Sequence, residues 1–125
     1  MMATLGARLV SVAAGRVEIA APVTAAVSQQ HGAGHAALAF ALGDSAAGYS
    51  ALTLLPADAE VMTAEIRIHL LRPARGVGLV ARGAVLKPGR RLIVVTAEVF
   101  ALDGTGAETQ VALLTGTMVP VAPGA

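Results

Sequence analysis

The chain has 125 residues, 55% of them hydrophobic, 14% charged and 2% aromatic, with a formal net charge of +1 and no cysteine. That length suits one domain around a single core, expected over residues 1–125. The missing cysteines exclude disulfides, thiolate catalysis and zinc–thiolate sites. A near-neutral charge without a basic block, and too few aromatics for a stacking platform, argue against a nucleic-acid partner.

So apolar a composition is unusual for a small soluble monomer, whose surface needs charge. Part of the apolar surface is therefore expected to be buried between subunits. Met1 to Val10 carries only Arg8 as a basic residue and does not read as a signal peptide, so the expected location is cytoplasmic.

In chain order, Arg8 to Ala20 reads as a first strand with a kink. Val10 and Val12, then Val17 and Ile19, alternate with polar or small residues, Gly15 marks a turn or bulge, and Pro22 closes the strand. Val23 to Gly34 is a connector ending in Gln29-Gln30-His31-Gly32-Ala33-Gly34. It lacks the Lys-Ser or Lys-Thr of a phosphate loop and the G-x-G-x-x-G of a dinucleotide fold.

His35 to Leu55 is rich in alanine and leucine, contains no proline and is stopped by Pro56, which predicts a helix. Leu38, Ala41, Leu42, Ser45, Tyr49 and Leu52 follow the i, i+3, i+4, i+7 spacing of one face. The opposite face is nearly as apolar, so burial all round is expected. Asp44 and Pro56 interrupt the apolar run, which suits a core helix and not a membrane span. Asp44 is the helix's one acid, and no Lys or Arg in the helix can pair with it.

Four strand-like segments follow. Val61 to Leu71 alternates, with Glu65, Arg67 and His69 on one face and Ile66, Ile68 and Leu70 on the other. Gly78 to Leu86 presents Leu79, Ala81, Gly83 and Val85 on one face. Lys87-Pro88-Gly89-Arg90 is a tight basic turn. Arg91 to Leu102 is β-branched, Asp103-Gly104-Thr105-Gly106 is a hairpin turn, Glu108 to Val119 is the last strand, and Pro120 to Ala125 is a tail. A sheet wrapped around one central helix satisfies this order of elements.

Asp44 is the leading candidate for chemistry. A carboxylate taken out of water must be offset by hydrogen bonds or put to use. The plainer reading is an acid satisfied by a nearby backbone group or by Ser45. His35 opens the helix, where free N–H groups and the positive dipole end can hold an oxyanion; the plainer reading is a loop corner. Nine residues of helix put the two roughly 14 Å apart along the axis. They can serve one small reacting group only if one of them comes from a second subunit. His31 and His35 have the H-x-x-x-H spacing of metal ligands, but the intervening glycines oppose a helix and the Glu of H-E-x-x-H is absent, so no metal site is expected. His69 is expected in solvent. Ser45 and Ser50 lack a nucleophile elbow. Lys87, Arg90 and Arg91 form a solvated turn or hold the phosphates of a nucleotide-bearing ligand.

Gly32-x-x-His35-Ala36-Ala37, with Asp44 nine places after the histidine and followed by Ser45-Ala46-Ala47-Gly48-Tyr49, resembles the hotdog-fold thioesterases of the phenylacetate-pathway (PaaI) type. The run Thr63-Ala64-Glu65-Ile66-Arg67-Ile68-His69-Leu70-Leu71-Arg72-Pro73-Ala74 resembles that family's second signature. The resemblance spans nearly the whole chain. It implies an α+β hotdog fold, an antiparallel sheet wrapped around a long central helix. The implied activity is hydrolysis of a short-chain or aromatic acyl-CoA, with no cofactor beyond the coenzyme A of the substrate.

By position, Asp44 matches the carboxylate that activates water or attacks the thioester carbonyl. Ala36 matches the residue whose N–H polarises that carbonyl. Gln29 stands where many members carry an Asn, and Thr63 matches a Ser/Thr that steadies the water. Homodimers, often paired into tetramers, are implied, with Asp44 and Thr63 from one subunit and Gln29, His35 and Ala36 from its partner. Lys87, Arg90 and Arg91 would hold coenzyme A phosphates. The chain departs from His-Gly-Gly with His-Ala-Ala, which would be strained wherever φ > 0 is required, and Gln29 is one methylene longer than Asn. Two rival readings are a hotdog enoyl-CoA hydratase or dehydratase, which uses a His–acid pair, and a non-catalytic acyl-CoA-binding module.

Overall fold

The computed structural model describes residues 1–122; Pro123 to Ala125, the end of the expected tail, lie outside them. The elements run β1 (Arg8–Ala13), β2 (Arg16–Pro22), a 3-10 turn (Ala25–Val27), α1 (Ala36–Leu52), β3 (Glu60–Leu70), β4 (Gly78–Lys87), β5 (Ile93–Leu102) and β6 (Glu108–Val121). All six strands join one sheet in the order β1-β2-β4-β5-β6-β3, with every pairing antiparallel. Because β3 pairs with β6 and not with β2, the chain must cross from one side of the sheet to the other. Helix α1 makes that crossing over the inner face.

The expected first strand is two strands. Ala13 pairs with Arg16 across a two-residue turn whose Gly15 has φ +72°, a conformation that glycine adopts without strain. A separate register shift falls between Leu9 and Ser11. Gly15 is tied down from both sides: its N–H donates to Thr53 Oγ1 at 2.7 Å, and its carbonyl accepts from the Val85 N–H at 2.9 Å. The same Thr53 hydroxyl donates to the Ser50 carbonyl, which ends the helix three residues before the expected Leu55. Strand β5 begins at Ile93 and not Arg91, and β6 runs through Pro120 to Val121, which shortens the expected tail. Pro120 is tolerated because β5 begins at Ile93, opposite Met118, so beyond that point β6 is paired on one side only.

The helix is not buried all round. Its covered face is Leu38, Ala39, Leu42, Gly43, Ala46, Ala47, Ser50 and Ala51, rotated from the expected one, so that Tyr49 stands 40% exposed. Small residues explain the rotation. A Cβ on Gly83 of β4 would sit 2.3 Å from the Ala46 carbonyl oxygen, and one on Gly43 would sit 2.6 Å from Leu114 Cδ1. The helix therefore presses its Gly/Ala side into the sheet, against Leu79, Val95, Val99, Leu114 and Met118, and turns its larger side chains outward. Phe40 and Tyr49 stay exposed at opposite edges of the helix's open face, and Asp44, between them, is half-buried, not buried as expected.

Candidate active site

Strict alternation along β3 would put Thr63 on the solvent face with Glu65, Arg67 and His69. The structure breaks that alternation. Thr63 pairs with Met118 and Glu65 with Thr117, leaving Ala64 as an extra residue. Such a bulge reverses the facing of everything before it. Ile66 and Ile68 turn inward beyond the bulge, and Thr63 turns inward before it.

The Thr63 hydroxyl donates to Asp44 Oδ1 at 2.7 Å. Met118 Sδ lies 3.4 Å from the same hydroxyl. With one proton to give, the hydroxyl favours the carboxylate, since a charged acceptor at short range outweighs a thioether. Ser45, the expected partner, makes no bond to Asp44 among the described residues. Asp44, Ser45, Gly48, Tyr49, Glu60, Val61 and Met118 surround a cavity of about 340 Å³. Of these, sequence reasoning overlooked Gly48, Glu60 and Met118; only the bulge, invisible in the alternation, brings β3 and β6 side chains to the carboxylate.

The other expected residues lie at the far end of the helix. His35 is the N-cap, with φ −64° and ψ 144°, and its Nδ1 accepts from the Ala37 N–H at 2.9 Å. The neutral ring therefore carries its proton on Nε2. Its side chain lines a hollow with Ala26, Val27 and Ser28, apart from the cavity of about 260 Å³ that Gln29, Ala33, Ala36, Ala39, Leu70 and Pro73 share. The Ala36 N–H has no acceptor among the described residues, so it is a free donor at the positive end of the helix. No residue other than glycine has positive φ among the described residues, so His-Ala-Ala replaces His-Gly-Gly without strain. The Gln29 carboxamide oxygen accepts from the His31 N–H, which turns it into its own loop. Bridges from Gly34 to Ser28 and Ala74 close that loop and tie it to the connection between β3 and β4.

Asp44 and Thr63 thus stand together, Gln29 and Ala36 stand together, and the chain does not bring the two pairs to one another. Lys87, Arg90 and Arg91 are exposed around the β4–β5 turn. Ile93 just beyond them pairs with Met118, which pairs with Thr63, so this turn lies at the carboxylate end of the sheet. No cluster of three metal-ligating side chains occurs among the described residues, and none of their helices is long and apolar enough to cross a membrane. The strong charge pairing lies elsewhere, on the outer face. Arg82 bonds Glu18 and grips Glu108 with both terminal nitrogens, its guanidinium 4.8 Å over the Phe100 ring. Hydrogen bonds from Ser11 and Arg82 hold the Glu18 carboxyl below its ordinary value, and Arg82 does the same to Glu108.

A sheet curled around a helix that carries a hydroxyl-bonded carboxylate defines a hotdog-fold thioester hydrolase. Residues 31–108 match the thioesterase superfamily, more than half of the sequence, and the chain belongs to that superfamily. A thioesterase family protein from Silicibacter pomeroyi is 41% identical, over 97% of this chain and 88% of its own, with a TM-score of 0.93. A Bacillus halodurans protein crystallised with CoA is 27% identical, over 83% of this chain and 66% of its own, with a TM-score of 0.76. The PaaI protein of the Escherichia coli phenylacetic acid degradation operon shares the fold at 23% identity, over 98% of this chain and 84% of its own, with a TM-score of 0.84. A search of curated proteins finds no match.

Proposed function

We propose that the protein is an acyl-CoA thioesterase working as a homodimer, releasing free acid and coenzyme A from acyl-CoAs. Asp44 takes a proton from water, whose oxygen attacks the thioester carbonyl carbon. The oxyanion forms against the Ala36 N–H of the partner subunit, an interaction of a kind worth about 2.7–4 kcal/mol per donor. The tetrahedral intermediate collapses with cleavage of the C–S bond, and the coenzyme A thiolate takes up the proton held by Asp44, restoring the carboxylate. Thr63 holds one oxygen of Asp44 and leaves the other for water, and Lys87, Arg90 and Arg91 meet the coenzyme A phosphates. The observation that carries this reading is the 2.7 Å bond from Thr63 to Asp44 at a cavity wall.

The dimer itself is testable with two inactive variants. Asp44→Asn removes the base and lowers thiol release at least about 100-fold. Ala36→Pro removes the oxyanion donor at N1, where proline suits a helix; His35 before it already has the extended backbone that proline requires. In a co-refolded equal mixture, half the dimers hold one of each chain, and one of their two sites is intact. The mixture regains roughly a quarter of wild-type activity if the site is shared between subunits. No regain means that the two groups act within one chain or not at all, and full activity in Asp44→Asn removes the carboxylate from the mechanism.

A further inference from the structure

Gly48 sits inside α1, one turn beyond Asp44 on the same side. Glycine is the poorest helix former after proline, so an interior glycine calls for a reason. Gly43 has one, since Leu114 occupies the space of its Cβ. Gly48 has none among the described residues. A Cβ there would meet nothing nearer than Met118 Cε at 3.9 Å, an ordinary contact. What Gly48 does border is the Asp44 cavity.

That cavity shares two of its walls, Tyr49 and Leu52, with a second one of about 410 Å³ between the helix and the β1–β2 hairpin. Leu9, Val12, Val17 and Ile19 line the second cavity, and Arg8 is the single charged residue on its border. Its size falls in the range of roughly 300–1,000 Å³ usual for small-molecule sites, and its walls suit a hydrocarbon and not a phosphate.

We propose, on the basis of the thioesterase reading, that the acyl group of the substrate crosses the helix over Gly48 and runs past Tyr49 and Leu52 into this second cavity. Gly48 is then a specificity-determining residue whose missing side chain is the passage. The substrates served best carry an extended apolar chain, longer than the Asp44 cavity alone accommodates.

The test is thiol release from acetyl-, butyryl-, hexanoyl-, octanoyl- and decanoyl-CoA by wild type, Gly48→Ala and Val12→Trp, with thermal melts and sizing of each. In wild type, kcat/KM rises with chain length to at least octanoyl. Gly48→Ala raises Tm by about 2–5 °C, as a relieved helix glycine should, while its octanoyl-to-acetyl ratio of kcat/KM falls at least fivefold. Val12→Trp, which fills the far end of the passage, lowers the decanoyl-to-acetyl ratio at least tenfold. Ratios unchanged in both variants, with wild type active, overturn the passage and leave the thioesterase reading intact. A lower Tm with dissociated chains in Gly48→Ala shows that the glycine serves subunit packing and overturns its assigned role. Wild type inactive on every acyl-CoA overturns the thioesterase reading and the passage together.

Discussion

Thr63 shows how little of a residue's role lies in its own chemistry. Its hydroxyl matters because it meets one oxygen of Asp44, so the two should be separable by substitution. Thr63→Val keeps the shape and loses the donor. It is expected to lower kcat about tenfold with KM nearly unchanged, whereas Thr63→Ser keeps most of the rate; steady-state kinetics on one acyl-CoA check this. A fall that Ser does not rescue would mean that the methyl group, packed near Met118, is what counts. Ala36 makes the same point from the other side. In the proposed mechanism its side chain is immaterial, since the free N–H at the start of α1 is the group that meets the oxyanion.

At the scale of elements, the contact between α1 and β4 sets where Asp44 can stand. Gly83→Ala would drive a methyl group against the backbone carbonyl of Ala46, and neither element can yield without shifting the other. Overpacking of this kind costs about 1–3 kcal/mol, read as a lower urea midpoint. Gly43→Ala should cost much less, because the atom in the way is the movable end of Leu114 and the helix gains about 1 kcal/mol from replacing glycine.

The Glu18–Arg82–Glu108 cluster stitches β2, β4 and β6 on the other face. Both carboxyls are depressed below their ordinary 4.5 in the folded chain. Their contribution to stability is therefore complete above pH 4.5 and is lost as pH falls through the lower folded values. Urea midpoints measured from pH 6 to pH 3 should drop steeply in wild type and more gently in Arg82→Met, which at pH 6 is less stable by about 1 kcal/mol or less per exposed pair.

At the scale of the whole molecule, the proposed pairing of Asp44 with the partner's Ala36 has a geometric corollary. In a two-fold dimer the reciprocal contact is automatic, and the axis passes midway between the two positions. Midway is Phe40, an aromatic side chain left 37% exposed on the open face of the helix. Phe40 then faces its own copy. Phe40→Asp would set two like charges together and raise the dissociation constant at least tenfold in sedimentation, with activity lost in step and the far-UV spectrum unchanged. A dimer that survives this change does not pair through the helix.

Most strands, the helix, its single acid and the loop ahead of it were legible in the sequence, because alternation, proline, glycine and capping are local signals. The buried side of the helix was not legible. Gly43, Ala46 and Ala47 look like weak hydrophobes on a helical wheel, yet they are what let the sheet come close. The division of the first strand into a hairpin was left open because one glycine serves equally for a kink or a reversal. The facing of Thr63 was readable only through resemblance, since the residue that redirects it, Ala64, has no character of its own.

That unremarkable alanine sets the phase of the edge strand. Beyond it, pairing with β6 resumes at Glu65 and Thr117 as though nothing had been inserted. Were Ala64 instead taken into the ladder opposite Met118, the sheet would stay sound, Thr63 would turn to the water side and Asp44 would be left without its hydroxyl. A slip of one residue in the register of this edge strand therefore divorces the site from folding, turning a hydrolase into an intact but idle scaffold on which a different chemistry could later be written.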